Sequence, residues 1–163
     1  MLKEKFERLL PEILKAARSH YRERLVSVAV FGSVARRTQR PDSDIDLLLV
    51  CERLPRGRMR RVKEFEKVEN RLAPLFLSLN REGISTFLSA TFRTPAEVKR
   101  GSLLYLDLVD DARLLYDRDD FLKPFLDGLR RRLSELGARR IWRGNSWYWD
   151  LKPDFKAGDV IEL

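Results

Sequence analysis

Two apolar runs, at 25–31 and 44–50, stand out in the hydrophobic pattern of the chain. Polar and apolar residues hardly alternate within these runs. The first run, LVSVAVF, is rich in β-branched residues, and the second, DIDLLLV, is apolar after its two acids. Strands that are buried on both faces have this pattern. The sequence therefore predicts two central strands, joined by a polar segment with turn residues at 40–43.

Amphipathic segments surround the two central strands. Apolar residues at helical spacing predict helices over 2–23, 56–73 and 119–136, and a helical segment in two pieces over 94–109. Short apolar stretches predict two further strands, over 84–91 and 112–116. Because helices and strands alternate along the chain, the fold class is α/β or α+β, with one mixed or antiparallel central sheet flanked by helices.

The C-terminal part of the chain differs from the rest in composition. After the predicted helix at 119–136 it contains all three tryptophans, Trp142, Trp147 and Trp149, in a segment with three glycines and one proline. Because 163 residues suit one domain better than two, we predict a core over 1–118 and an aromatic-rich extension over 119–163 that packs on the same domain. The tryptophans are interpreted as core or as a dimer contact, with stacking on a base as the alternative.

Composition narrows the classes of site and partner. The net charge of +8 favours phosphate-bearing partners such as nucleotides; nucleic acid is a less favoured alternative. One cysteine, Cys51, excludes a disulfide framework, and one histidine, His20, excludes a multi-histidine metal centre. No apolar run reaches the roughly 20 residues of a membrane helix, and the N-terminus is charged, so a cytoplasmic protein without a membrane segment is expected.

Two acids open the second central strand. Since alternate side chains of a strand share a face, Asp44 and Asp46 are expected to point the same way, about 6–7 Å apart. Two like charges on a buried strand cost free energy unless a cation offsets them. The pattern therefore predicts that Asp44 and Asp46 hold a divalent cation, Mg²⁺ or Mn²⁺.

A Gly-Ser pair, Gly32 and Ser33, ends the first central strand. Glycine lets an anion approach the backbone N–H groups, and the serine hydroxyl adds a donor. Ser33 and Asp44, separated by ten residues, reach one ligand if the two strands are antiparallel neighbours. The sequence contains neither G-x-G-x-x-G nor Gly-Lys-Ser/Thr after this pair, which excludes a Rossmann unit and a P-loop.

This combination resembles the minimal nucleotidyltransferases, a branch of the DNA polymerase β superfamily. The matching motifs are FGSVAR at 31–36 and SDIDLLLV at 43–50, while Arg37 stands where the family usually has glycine. The resemblance implies a polymerase-β-like nucleotidyltransferase fold. It also implies Mg²⁺-dependent transfer of a nucleoside monophosphate, AMP by preference, from a nucleoside triphosphate such as ATP to an acceptor hydroxyl.

The family's motif also implies residue roles and partners. Asp44 and Asp46 would be catalytic and hold the metal, and Gly32, Ser33 and Arg36 would bind the nucleotide. Small members of the family often accompany a HEPN-type toxin and adenylylate it, so a HEPN-type protein partner and a protein hydroxyl acceptor are expected. A small-molecule acceptor, as in aminoglycoside-modifying relatives, and a homodimer are open alternatives.

A third carboxylate, which the family commonly places on the next core strand, is missing from its expected position. The polar residues of the predicted strand over 84–91 are Ser85, Thr86 and Ser89. Three later acids, Asp107, Asp110 and Asp117, lie outside that strand. The alternatives are a one-metal site, a base supplied from elsewhere, or a catalytically weak or inactive nucleotide-binding module of the antitoxin type.

Overall fold

The protein, described by a computed structural model over all 163 residues, alternates helices and strands. The helices are α1 (Leu2–Tyr21), α2 (Gly32–Arg36), α3 (Arg58–Arg81), α4 (Pro95–Arg100), α5 (Tyr105–Leu108) and α6 (Leu122–Glu135). The strands are β1 (Leu25–Phe31), β2 (Ile45–Cys51), β3 (Leu88–Arg93), β4 (Arg113–Asp117), β5 (Arg139–Arg143) and β6 (Ser146–Asp150). No helix is both long enough and apolar enough to cross a membrane.

Strands β1 to β4 form a mixed sheet in the order β3-β2-β1-β4. β1 is antiparallel to both β2 and β4, whereas β2 is parallel to β3. The antiparallel pairing of the two central strands, predicted from the spacing of Ser33 and Asp44, is confirmed. β5 and β6 form a separate two-stranded hairpin.

Both faces of the central sheet are covered, which explains why β1 and β2 lack polar alternation. On one face Leu47 and Leu49 pack in a core with residues of α1 and α3. On the other, Leu48 and Val50 pack in a second core with residues of α4, α5 and α6. Since successive side chains of β2 enter different cores, nearly every position of the strand is apolar.

Two element boundaries differ from those predicted. The helix predicted over 56–73 extends to Arg81 because Leu72 and Leu79, on either side of Pro74, continue its buried stripe. The strand predicted over 84–91 lies instead at Leu88–Arg93. The preceding residues form a loop, in which Thr86 donates a hydrogen bond to the carbonyl of Ser43 at 2.6 Å.

An ion pair links α3 to α4. Arg61 donates to both carboxylate oxygens of Glu97, at 2.8 Å each. Glu97 also completes a capping box with Thr94 at the start of α4. The hydrogen bonds from Arg61 hold the pKa of Glu97 at about 2.

We expect Glu97→Gln to lower the free energy of unfolding by about 2 kcal/mol at neutral pH. Glutamine keeps one oxygen that can accept the capping-box hydrogen bond, but it loses the charge and replaces the other oxygen with an NH2 group that cannot accept from Arg61. Because the pKa of Glu97 is depressed below its ordinary value of 4.5, its contribution is present above pH 4.5 and is lost as the pH falls toward about 2. Urea unfolding of both proteins at several pH values checks this, and a difference that does not shrink in acid would contradict it.

Candidate functional site

One end of the central sheet gathers the residues singled out in the sequence. Phe31, the last residue of β1, lies opposite Asp46 of β2, and α2 begins at the next residue, Gly32. On the other side of β1, Val30 pairs with Arg113, so the segment before β4 reaches the same end of the sheet. The Gly-Ser pair, the two acids and the 105–112 segment therefore meet there.

The two predicted metal ligands lie together, with one correction to their placement. β2 begins at Ile45, so Asp44 immediately precedes the strand rather than opening it. Both acids are partly buried. Burial and the neighbouring Asp44 charge raise the pKa of Asp46, and the Ser89 hydroxyl and the charge of Arg36 act in the opposite direction. The fold therefore holds two like charges close together in a partly dehydrated position.

Gly32 is required by its contact with Asp46. Its φ is +70°, in the left-handed region, and a Cβ at this position would collide with Oδ2 of Asp46. The backbone at the start of α2 thus lies directly against the carboxylate. This contact explains why the glycine and the acid occur together in the motif.

Arg37, which stands where the resemblance to minimal nucleotidyltransferases implied a glycine, adopts a left-handed conformation with φ 59° and ψ 34°. It ends α2, and its backbone N–H donates to the Val34 carbonyl at 3.1 Å. Its side chain is 63% exposed and lies 3.6 Å from a carboxylate oxygen of Glu7. An exposed ion pair of this kind adds little stability. The arginine is therefore accommodated at a backbone cost.

We expect Arg37→Gly to raise the free energy of unfolding by about 0.5–1 kcal/mol. Relief of the left-handed strain is worth roughly 1–2 kcal/mol, and the greater freedom of glycine in the unfolded chain removes part of that gain. Arg40→Gly, in the same loop but without a positive φ, is the control and should be destabilising. Urea denaturation measures both, and a destabilised Arg37→Gly would contradict the expectation.

Arg36, predicted to contact the nucleotide, lies at this end of the sheet but has protein partners. Its Nη1 donates to Oδ2 of Asp111 at 3.2 Å. Its guanidinium carbon lies 4.6 Å from the ring centroid of Trp147. Neither Asp111 nor Trp147 could be placed beside Arg36 from the sequence, because each approaches Arg36 from a distant part of the chain.

No third carboxylate joins Asp44 and Asp46, and no group of three acidic, histidine or cysteine side chains is arranged to hold a metal ion. The β3 residue paired in register with Asp46 is Ser89. Asp117 caps α6 instead, accepting hydrogen bonds from the backbone of Leu122 and Lys123. Asp107 affects Asp46 only through its charge, which raises the pKa of Asp46. Burial also raises the pKa of Asp107.

The donor set fits a hard divalent cation. Asp44 and Asp46 supply carboxylate oxygens, the ligands that Mg²⁺ prefers, and Mg²⁺ commonly uses one or two of them with water and phosphate completing its octahedron. Arg36 is paired with Asp111 and reaches Asp46 only through its longer-range charge. A cation at Asp44 and Asp46 would stabilise the charged carboxylate of Asp46, which burial and the Asp44 charge disfavour.

Comparison with known proteins agrees with the resemblance seen in the sequence. Residues 10–89 match the nucleotidyltransferase domain family. The chain is 27% identical over 155 residues to a Methanocaldococcus jannaschii protein named "Putative protein adenylyltransferase MJ1305", with 94% of this chain and 95% of that protein covered. The relative therefore matches almost from end to end, beyond the motif itself.

Two solved structures show the same fold. A spectinomycin adenyltransferase from Enterococcus faecialis, with ATP and spectinomycin, is 16% identical with a TM-score of 0.51, over 78% of this chain and 64% of that chain. A mutant of the toxin–antitoxin MntA-HpeT is 16% identical with a TM-score of 0.50, over 78% of this chain and 92% of that chain. The fold, the domain match over residues 10–89 and the motif therefore agree in identifying a nucleotidyltransferase domain in this chain.

Proposed function

We propose that this nucleotidyltransferase uses Mg²⁺ and transfers a nucleoside monophosphate, AMP by preference, from a nucleoside triphosphate to an acceptor hydroxyl. The proposal rests on the contact between the start of α2 and Asp46. This contact places backbone N–H groups that can bind an anion next to a pair of carboxylates. The name of the Methanocaldococcus jannaschii relative supports adenylyl as the transferred group.

The residues of the site have separate tasks in this proposal. Asp44 and Asp46 would hold Mg²⁺, which when bound supplies Lewis-acid stabilisation of the charge on the phosphoryl oxygens. Ser33 and the backbone N–H groups of Gly32 and Ser33 bind the terminal phosphates. The positive charge of Arg36 attracts the same phosphates, and its pairing with Asp111 limits its movement.

The chemistry is a displacement at the α-phosphorus. The acceptor oxygen forms a new bond to this phosphorus and gives its proton to water, while the bond between this phosphorus and the oxygen that bridges to the β-phosphate breaks and pyrophosphate leaves. Such transfer depends mainly on alignment of the reacting groups and on stabilisation of charge. Fixed phosphate contacts at α2 and a fixed metal position at Asp46 would provide this alignment.

We propose a protein hydroxyl as the acceptor, on a partner of the HEPN type. The word "protein" in the name of the relative supports this acceptor class, and the resemblance to minimal nucleotidyltransferases supports the partner. The matched solved structures support the fold and leave both acceptor classes open.

The test uses ATP labelled either at the α- or at the γ-phosphate, with Mg²⁺ and a HEPN-type protein from the same genome. Transfer of the α-label only, abolished by a chelator and by the double variant Asp44→Asn/Asp46→Asn, is the expected result. Transfer of the γ-label would instead indicate a kinase. Equal α-transfer by the double variant would show that the assigned site is wrong.

A second candidate function is a nucleotide-binding module of the antitoxin type with weak or no transfer activity. The presence of Ser89, rather than an acid, beside Asp46 favours this candidate. Calorimetry with a non-hydrolysable ATP analogue would detect binding in both cases. Binding without α-label transfer to protein or small-molecule hydroxyls would therefore select the binding module.

A further inference from the structure

The β5–β6 hairpin is attached to the segment that precedes β4, beside the candidate site. Trp149 donates its indole N–H to the carbonyl of Leu106 at 3.1 Å. Arg140 donates to both carboxylate oxygens of Asp111, at 3.1 and 2.5 Å. These two attachments fix the hairpin at the same end of the sheet as Gly32 and Asp46.

A pair of tryptophans on this hairpin packs against two guanidinium groups. Trp142 and Trp147 are partners across the two strands, with ring centroids 5.1 Å apart. The guanidinium carbon of Arg140 lies 4.6 Å from the Trp142 centroid and 4.4 Å from that of Trp147. The guanidinium carbon of Arg36 lies 4.6 Å from the Trp147 centroid. These distances are within the range of cation–π attraction.

Asp111 connects the two arginines. Its Oδ2 accepts hydrogen bonds from both Arg36 and Arg140. The side chains of Arg36, Asp111 and Arg140 are only 18%, 11% and 12% exposed. Water therefore screens their charges less than at an open surface, and the shared carboxylate reduces the repulsion between the two cations.

We infer that the tryptophan hairpin is a positioning device for Arg36, in which Trp147 and Asp111 hold its guanidinium at the nucleotide-binding end of the sheet. The inference rests on the proposed function, since it assumes that Arg36 acts on the phosphates of a bound nucleotide. Trp147 and Asp111 are positioning residues, because they act through Arg36.

The physical benefit is preorganisation. A free arginine side chain loses rotamer entropy when it binds phosphate, whereas a side chain already fixed by a carboxylate and an aromatic ring loses less. The same contacts disfavour base stacking by Trp147, because guanidinium groups already pack against its ring. The hairpin thus contributes to affinity for the nucleotide without a contact to the base.

The first experiment compares affinities for a non-hydrolysable ATP analogue by calorimetry, in the presence of Mg²⁺. We expect Trp147→Ala to raise the Kd by about three- to thirty-fold, the range of a cation–π contact at a partly buried position. Trp147→Phe retains an aromatic face and should restore most of the affinity. Tyr148→Ala, the next residue on β6 with a 45% exposed ring over Arg143, is the matched control and should leave the Kd unchanged.

The second experiment separates positioning from a merely structural role. If Trp147 acts through Arg36, then Trp147→Ala should weaken binding in the wild type but have little further effect in an Arg36→Ala background. Asp111→Asn provides a second route to the same result without altering the hairpin core. Far-UV circular dichroism and thermal unfolding identify any variant that fails to fold.

The outcomes distinguish this inference from the proposed function. Absence of nucleotide binding by the wild type would overturn the proposed function and, with it, the inference. Normal wild-type binding with unchanged Kd values for folded Trp147→Ala and Asp111→Asn would overturn the inference alone. Fully additive effects of Trp147→Ala and Arg36→Ala would also overturn it, because the tryptophan would then act independently of the arginine.

Discussion

Replacement of Asp46 by asparagine is expected to slow nucleotidyl transfer by about a thousandfold and, at the same time, to make the free protein more stable. The loss of activity follows from the loss of one of two carboxylates that would hold the cation, which is worth several kcal/mol of charge stabilisation in the transition state. Asparagine has nearly the same shape, so the contact with Gly32 is retained.

The gain in stability follows from the electrostatics of the free site. Because burial and Asp44 raise the pKa of Asp46 above its ordinary value of 3.8, the folded protein disfavours the charged carboxylate. The neutral amide removes this penalty, with an expected gain of about 1 kcal/mol at neutral pH. Below pH 3.8 the wild-type carboxyl is protonated in both states, so the difference should disappear as the pH falls through the folded pKa to that value.

Urea unfolding at neutral and acidic pH, together with α-label transfer, measures the two effects on one variant. Asp42→Asn is the matched control, since Asp42 lies two residues before Asp44 in the same loop, is 73% exposed and pairs only with Arg40. Asp42→Asn should change neither the free energy of unfolding nor the rate of α-label transfer appreciably. Wild-type transfer by Asp46→Asn would remove this residue from the catalytic site, and a loss of stability would show that another contact balances its charge.

The central part of the fold could be predicted from sequence because its signals are local. The apolar runs of β1 and β2 reflect burial on both faces, and the ten-residue separation of Ser33 and Asp44 restricts how the strands can pair. The capping box at Thr94 is likewise contained within four residues. Such features require no knowledge of distant parts of the chain.

The surroundings of Arg36 could not be predicted because they depend on long-range packing. Asp111 lies 75 residues after Arg36 in the sequence, and Arg140 lies 29 residues after Asp111. The lack of an acid in this strand is visible in the sequence, but only the register of β3 decides that Ser89 is the residue beside Asp46. The division of the chain at residue 118, homodimer formation and the cytoplasmic location stay predictions.

Replacement of Gly32 by alanine is expected to have the second large effect on activity and stability. It combines backbone strain with a steric clash against Asp46. Alanine at φ +70° is strained by roughly 1–2 kcal/mol, and its Cβ would displace the carboxylate of Asp46. A shift of a reacting or ligating group by about 1 Å can reduce the rate a hundredfold. We therefore expect a loss of at least about a hundredfold in α-label transfer, and a loss of stability of about 2–4 kcal/mol.

Gly83→Ala separates the two costs. Gly83 also has a positive φ, +81°, but nothing lies within 4 Å of a Cβ built there. This control should lose stability from backbone strain alone and keep full transfer activity. Equal losses of activity in Gly32→Ala and Gly83→Ala would assign the effect to general destabilisation.

A double-mutant cycle tests the collision itself. If the Cβ that Gly32→Ala introduces acts by pushing on the Asp46 carboxylate, then this substitution should cost less stability in an Asp46→Ala background than in the wild type. The part of the cost that persists there measures the backbone strain, and it should match the cost of Gly83→Ala. A Gly32→Ala effect that is the same in both backgrounds would mean that the start of α2 and the carboxylate are not in contact. The proposed shared site for phosphate and metal would then lose its structural basis.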